Sequence, residues 1–589
     1  MIFGKRVNKY YLRFAPLYII GIIVLIALDY AQLIIPKIYR MVLFAINSGF
    51  IDEAKTTPFT LDILLNDVCL PMLIIVLVMV AGRFLWRVCF FGAGIKTEEN
   101  LRRELFDHAR LLSQEYYSKE KVGGLMSLFT NDLSVVEESM GWGVMMVFDA
   151  LFLGAMSVYN MIVVNPVLTL FCGIPLLFLM IAGIILNRYL QLKWEEREAS
   201  FSAISDFAQE SFSGLAVIKA FVKEAKELIA FKKLNEKNEK INVEYTKLSV
   251  AMRVAVELFV ESVICVILGV GGYLVFKGDI TGEYLVEFIS YFYTIIWPVM
   301  AIAELVDMHS RGKASLNRIT KLLEEKPAVS DREGAKDAGV LKGKIEFKNV
   351  RFSYPQGRRE ILKGISFTIN AGENVGIIGK IGSGKTTIMD LITRTYNVPD
   401  KKIFLDDNDV NDLTIRSVRD NIAYVPQDNF LFSDTIANNV AFAADNVPID
   451  RIKEAARLAC VSDDIESFPQ GYDTVLGERG VTVSGGQKQR ISIARAIVKD
   501  APILMLDDSV SAVDTETEKV ILLNLKRTRK GKTTVVIAHR ISTVENLDKI
   551  IFIDNGNILA FGSHEELVSS CKEYRNLVEL QKLEEKGVE

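Results

Sequence analysis

Eight consecutive residues, Gly379-Lys380-Ile381-Gly382-Ser383-Gly384-Lys385-Thr386, carry the most specific chemistry in this chain. Their glycines let the backbone curl so that N–H groups converge on an anion at a helix start. Lys385 then reaches the β and γ phosphates, and the Thr386 hydroxyl is of the type that ligates Mg²⁺. The apolar Asn374-Val375-Gly376-Ile377-Ile378 before them reads as a strand, and Thr387-Ile388-Met389-Asp390 after them as a helix, which is the context the pattern requires. A second short apolar run, Ile503-Leu504-Met505-Leu506, stops at two adjacent carboxylates, Asp507 and Asp508. It reads as a buried strand whose carboxyl end faces a site, with Asp507 standing behind the same metal. Between the two strands Ser484-Gly485-Gly486-Gln487 opens a further helix and forms another phosphate-accepting turn. One nucleotide cannot use both turns if they lie on different subdomains. Two copies facing head to tail could, each lending its Ser-Gly-Gly turn to the other's phosphates. A nucleotide with β and γ phosphates, and Mg²⁺, are the implied ligands.

These residues sit in the second half of a chain of 589 residues, too long for a single core. The halves differ in composition. Up to about Met308 the chain is built of long apolar runs. After about Gly343 it alternates short apolar strands with helical segments, as a doubly wound α/β domain does. The expected division is a membrane domain over 1–323, a charged linker over 324–340 carrying Pro327, a nucleotide-binding domain over 341–580 and a charged tail over 581–589. A hydrophobic fraction of 50% and a mean hydropathy of +0.24 exceed what a soluble enzyme needs. The 69 basic and 73 acidic residues leave no basic excess that would suggest nucleic acid. Six scattered cysteines support neither a disulfide framework nor a zinc site.

Six apolar runs have the length of a membrane-spanning helix: Phe14 to Ile35, Val68 to Phe91, Val144 to Val164, Val167 to Leu186, Val254 to Phe276 and Tyr284 to Ile302. The connections Lys96 to Glu138 and Asn187 to Arg253 are long, helical in pattern and rich in Lys and Arg, whereas the others are short and nearly free of them. Basic loops stay in the cytoplasm, which places both termini and the second half there, in a multi-pass protein of the cell membrane. Charges fall in or near the spans at Asp29, Arg83, Arg87, Asp149, Glu257, Glu261, Glu287 and Glu304. One reading has these acids line an inner cavity that favours cationic or amphipathic cargo. The blander and preferred one pairs them with Arg83, Arg87 or Arg253 or seats them in interfacial water, because unpaired charge is rare within a membrane.

Taken together, these features resemble the ATP-binding cassette transporters, and among them the exporter half-transporters in which six spans precede one cassette; the likeness covers nearly the whole chain. The resemblance implies that Tyr354, in Phe352-Ser353-Tyr354-Pro355, stacks on adenine, that Gln427 senses Mg²⁺, and that Ser484, Gly485, Gly486 and Gln487 are the family signature, with Val483 where Leu is usual. It further implies that Asp514 communicates across a dimer, that His539 is the switch histidine at the γ phosphate, and that Glu478 and Arg479 lie in a loop that meets the membrane helices. Val122 to Asp132, with Leu128 where Arg is common, and Glu210 to Phe221 resemble the cytoplasmic loops of exporters; turns near Tyr116 to Lys121 and Asp206 to Ser213 are then candidate coupling helices. His108, His309 and His564 have no such neighbours and receive no role. Lys572 to Glu589 reads as a solvated helix.

In active family members the residue after the metal-linked Asp is a Glu that polarises the attacking water. Asp508 is one methylene shorter, so its carboxylate falls back by roughly 1.5 Å, and a misplacement of that size costs on the order of 10²-fold in rate. The resemblance then extends to heterodimeric exporters, in which one subunit has the weakened base and its partner retains Glu. The expected protein is one half of an ATP-driven exporter of a small hydrophobic or amphipathic solute, working in the lipid bilayer with a second half-transporter. A slow homodimer and a nucleotide-gated regulatory membrane module without cargo are the alternatives.

Overall fold

The computed structural model describes residues 4–586 except 53–55, 121, 356, 358 and 478–482. Two compact units divide the chain, one formed by Met1–Arg110 and Val122–Glu325, the other by Leu111–Lys121 and Lys326–Glu589.

In the first unit each apolar run, save Phe14 at the start of the first, lies within a helix long and apolar enough to cross a membrane: Ala15–Ser48, Leu61–Ala109, Val122–Val164, Pro166–Ser213, Glu224–Lys277 and Gly282–Glu324. The chain is therefore a multi-pass membrane protein, as the runs predict. The helices continue well past the apolar runs. The Glu224–Lys277 helix has 54 residues, about 80 Å at 1.5 Å per residue, against an apolar core of about 30 Å. Prolines lie inside four of them, at Pro36, Pro71, Pro175 and Pro298. Pro298 packs on the third span, where a Cβ on Gly154 would stand 3.3 Å from its ring. Two buried clusters hold the bundle. One gathers Leu33, Leu153, Ile267, Phe288 and Phe292, the other Tyr18, Trp86, Phe90, Met145 and Met308.

One expectation changes here. Asp206–Ser213 is not a turn but the end of the Pro166–Ser213 helix. The chain reverses only beyond Gly214, through a separate short helix, Leu215–Ala220. Glycine at 214 interrupts a run that is otherwise good helix former. The segment Tyr116 to Lys121 does overlap a short helix, Gln114–Lys119, and this piece belongs to the second unit although it lies between two spans in sequence.

The second unit has two sheets. Strands β1 (Ile345–Phe352), β2 (Leu362–Ile369), β4 (Ile403–Leu405) and β5 (Asn408–Asp409) pair in the order β2-β1-β4-β5. The other sheet contains β3 (Asn374–Gly379), β6 (Ile422–Val425), β7 (Ile503–Asp507), β8 (Thr533–Ile537), β9 (Lys549–Asp554) and β10 (Asn557–Gly562), in the order β10-β9-β3-β8-β7-β6. Neighbours from β9 to β6 run parallel, and every residue of β7 and β8 is buried, as near-continuous apolar strands in such a sheet should be. One core lies between the sheets, where Phe347 and Phe367 stack at 4.5 Å. A second, around Leu431, Ile465, Ile491 and Leu506, packs the helices that carry the Ser484 turn.

Candidate nucleotide site

Register alone brings the chemistry together. Ile537 pairs with Ile377 on one side and Asp507 on the other, so three neighbouring parallel strands end side by side. Beyond β3 comes the phosphate loop, beyond β7 Asp508, and beyond β8 His539. This is the carboxyl edge at which ligands bind in open α/β sheets.

The loop turns at Gly382 (φ 76°) and Gly384 (φ 102°), both in the region that glycine adopts without strain, and Gly384 caps the helix Lys385–Ile392. Lys385 is only 6% exposed. Its Nζ donates to the carbonyls of Gly379 and Lys380 at 2.9 and 3.0 Å. Burial pulls this ammonium below its ordinary value, against the opposing charges of Asp507 and Asp508. Lys380, by contrast, points outward toward Asp554 at 3.8 Å. The Ser383 hydroxyl is buried without a hydrogen-bond partner among the described residues, a donor and acceptor open to a ligand in the candidate phosphate loop.

A cavity of about 520 Å³ is lined by Tyr354, Ile381, Gly382, Gly384, Lys385, Thr386, Thr387, Gln427, Asp507, Asp508 and His539. Within it the Thr386 side chain hydrogen-bonds Asp507, and Tyr424 donates to Asp507 Oδ2 at 3.5 Å. Burial pushes the Asp507 carboxyl up, and the hydrogen bond from Thr386 opposes it. Thr386, Gln427 and Asp507 form an all-oxygen donor set, which fits a hard cation such as Mg²⁺ completed by water and phosphate oxygens. Tyr354 sets its hydroxyl 2.9 Å from Thr387 Oγ1. Its ring meets Phe352 and Tyr396 edge-on, each at 5.1 Å.

Asp508 adopts φ 47°, a left-handed conformation that Asp tolerates better than most residues. Its N–H donates to Ile537 O at 3.0 Å, and its Oδ2 faces His539 Nε2.

Ser484, Gly485, Gly486, Gln487 and Asp514 do not line this cavity among the described residues. Ser484 caps the helix Gly485–Lys499 in a reciprocal box with Gln487, and Gln487 Nε2 donates to Asp464 Oδ1 at 2.9 Å. Asp514 caps the helix Thr515–Thr528 through the N–H of Thr517. That bond holds its carboxyl below the usual range. Glu478 and Arg479 lie outside the described residues.

Three neighbours escaped the sequence reading. Gln489, 7% exposed, accepts from Ala512 N–H at 3.0 Å and donates to Asp508 O at 3.4 Å, tying the Ser484 helix to the Asp507–Asp514 loop. Gly486 makes that approach close, since a Cβ there would stand 2.9 Å from Ala512 O. Gln581 clamps the histidine segment, donating to His539 O at 2.8 Å and accepting from Ile541 N–H at 2.7 Å. Its helix, Lys572–Lys586, packs Tyr574 and Val578 into a buried cluster and so is not solvated all round. Asp390 lies within charge range of Asp507, and burial with that neighbour pushes its carboxyl up to about 6. For Gln489 the only signal in the sequence is its place two residues beyond the Ser-Gly-Gly-Gln turn.

Comparison with known families gives two matches: the ABC transporter transmembrane region over residues 18–299 and the ABC transporter domain over residues 362–511. A probable multidrug resistance ABC transporter ATP-binding/permease protein of Bacillus subtilis (strain 168), YheI, is 34% identical over 98% of this chain and 97% of its own length. The multidrug resistance-like ATP-binding protein MdlA of Escherichia coli (strain K12) is 34% identical over 98% of this chain and 96% of its own length. Among solved structures, a bacterial Atm1-family ABC exporter with ATP bound has a TM-score of 0.77 and 26% identity, covering 96% of this chain and 98% of its own.

Proposed function

Since the chain belongs to the ABC transporter family, with a multi-span membrane domain fused to one ATP-hydrolysing cassette, we propose that it is one half of a heterodimeric exporter in the cell membrane. Its cargo is a small hydrophobic or amphipathic solute, and its own ATP site is the slow one. Both termini and the cassette face the cytoplasm, in keeping with the basic long connections.

The observation that carries this reading is the position of Asp508. It follows the buried Asp507, lines the nucleotide cavity and faces His539, which is where the attacking water would be held, yet its side chain is one methylene short. ATP and Mg²⁺ are held by Tyr354, the phosphate loop, Gln427 and Asp507, all of them present. In a dimer this chain's Ser484-Gly485-Gly486-Gln487 covers the partner's phosphates, and the partner's signature covers Lys385 and Asp508. The exposed apolar tip formed by Phe212, Leu215, Val217, Phe221 and Val222 supports a second subunit, because such a cluster at the end of two long helices wants a covering surface. His539 favours the homodimer as the second reading, since the switch histidine is retained beside the short base.

The test is purification of a tagged chain from its native membrane. A different half-transporter carrying Glu after its metal-linked Asp should co-purify, and the pair in vesicles should move an amphipathic solute on addition of ATP. Recovery of the chain as a self-dimer with ATP-driven transport would select the homodimer. ATP binding without movement of any solute would select a regulatory module.

A further inference from the structure

The first, second, third and sixth spans enclose a cavity of about 360 Å³, the size of a pocket for a drug-like molecule. Two buried carboxylates face it. Asp29 on the first span is 3% exposed and Asp149 on the third is 9% exposed, and their side chains are within hydrogen-bonding reach of each other. Asp149 Oδ2 accepts the indole N–H of Trp297 at 2.6 Å, whereas Asp29, beyond its approach to Asp149, has no hydrogen-bond donor to its buried Oδ2 among the described residues. A buried polar atom aimed into a cavity without a partner marks a place where a ligand belongs.

Three of the chain's four tryptophans, Trp86, Trp142 and Trp297, wall the same cavity. Trp142 and Trp297 stand edge to face at 6.4 Å, so a ring entering between them finds aromatic surface on more than one side. The positive groups are placed differently. Arg83 and Arg87 border the cavity from the second span but are both exposed. Arg87 lies over the Trp86 ring at 5.4 Å, and Arg83 acts on Asp149 through space only. The charge sunk into the wall is therefore acidic, and the basic groups stand at the rim. The acids Glu257 and Glu261, the other candidates for such a role, are exposed on the fifth span and line no part of this cavity. Glu287 is held instead by Arg40 at 3.3 Å and Tyr291 at 2.9 Å.

We propose that Asp29 and Asp149, walled by Trp86, Trp142 and Trp297, form a subsite for an aromatic organic cation, its charge held by the two carboxylates and its rings by the indoles. Carboxylates supply the ion pair and indole faces the cation–π contact that such a ligand needs. The subsite rests on the exporter reading only in making this ligand a cargo; binding itself requires no transport.

The experiment uses the full chain in lipid nanodiscs without nucleotide, with tetraphenylphosphonium as the permanent aromatic cation, triphenylphosphine oxide as a neutral aromatic and tetraphenylborate as the anion. Quenching of tryptophan fluorescence reports directly, because three of the four indoles line the site. Tetraphenylphosphonium should bind saturably. Asp29→Asn and Asp149→Asn should each weaken it by about tenfold or more, as removal of one partner of a desolvated charge pair does. Both should leave triphenylphosphine oxide unchanged, and Asp29→Glu, which keeps the charge, should restore most of the affinity. Retained binding of a fluorescent ATP analogue verifies that each variant is folded. The proposal is overturned if both Asn variants bind the cation as the parent does, if the neutral probe weakens in parallel, or if tetraphenylborate binds as tightly as the cation. ATP-driven movement of neutral solutes together with any of those results would leave the exporter standing without this site. Loss of cation binding in the variants, in a protein that moves nothing, would leave the site standing without the exporter.

Discussion

His539 Nε2 stands 4.0 Å from Asp508 Oδ2, too far for a hydrogen bond, and both side chains line the candidate nucleotide cavity. The excess over a hydrogen bond of about 2.8 Å is roughly 1.2 Å, close to the reach of about 1.5 Å that the extra methylene of a glutamate adds. Asp508→Glu should therefore raise phosphate release by the assembled transporter, by roughly 10- to 100-fold at this site. The left-handed backbone at 508 costs Glu about 1–2 kcal/mol, which lowers folding stability rather than raising the barrier. If the chain is the slow half of the proposed heterodimer, Asp508→Asn should leave turnover within about twofold, because the partner's site would then carry most of it. Steady-state ATPase of the parent and both variants checks this; an unchanged rate with Glu would show that base length is not limiting.

Gln489 predicts a separation of binding from turnover. Its amide joins Ala512 N–H to Asp508 O, and among the described residues Gln489 does not line the nucleotide cavity. Gln489→Leu leaves those backbone groups without their partner, at about 1–3 kcal/mol, and loosens Asp514 and the Ser484 turn on the same helix, the parts that would serve the faster site of the proposed dimer. The expected outcome is a kcat lower by roughly tenfold with KM for ATP within about threefold. Gln489→Glu, which keeps the acceptor for Ala512, should recover part of the rate. A rise in KM with kcat intact would place Gln489 in nucleotide binding instead.

How much of this was legible in the sequence depended on distance along the chain. The phosphate loop, Asp507 and the Ser484 turn announce themselves because their chemistry lies in consecutive residues between a strand and a helix. The spans are legible for the same reason, since a bilayer demands an uninterrupted apolar run. What is settled by packing between distant segments was hidden. Gln489 meets Ala512 only through the helix approach that Gly486 permits, and Asp29 meets Asp149 only because two spans cross. The turn expected at Asp206–Ser213 fell instead beyond Gly214, since a helix of good formers runs on until a residue stops it.

Asp390 should make the cassette's stability depend on pH. Burial, with Asp507 beside it, moves its carboxyl from 3.8 up to about 6. Between those values the folded cassette binds more protons than the unfolded chain, so the stabilisation present below about pH 4 is lost as pH rises through about 6. Asp390→Asn removes that loss. Without nucleotide, the variant should melt higher than the parent at about pH 7.5, by a few degrees for roughly 1–2 kcal/mol after allowance for partial solvent access. The difference should shrink toward about pH 4.5. Equal melting at both pH values would show that the carboxyl is not carried as a buried charge.

The pairing of Arg318 with Asp132 joins the third and sixth helical spans in their extensions beyond the apolar runs. Asp132 is 2% exposed, and Arg318 Nε reaches both of its oxygens at 3.1 and 3.2 Å, while Nη2 donates to Oδ1 and to Ser315 Oγ. The arginine is half-exposed and the aspartate is not, so the two deletions are unequal. Arg318→Met leaves a buried carboxylate without its cation and should destabilise by about 2–4 kcal/mol. Asp132→Asn leaves a cation that turns to water, and should cost about 1–2 kcal/mol, mostly in hydrogen bonds. The double variant should therefore be more stable than Arg318→Met alone, because the stranded charge is gone. Thermal unfolding of the three variants in detergent checks the order, and a double variant less stable than either single one would mean that Arg318 and Asp132 act independently.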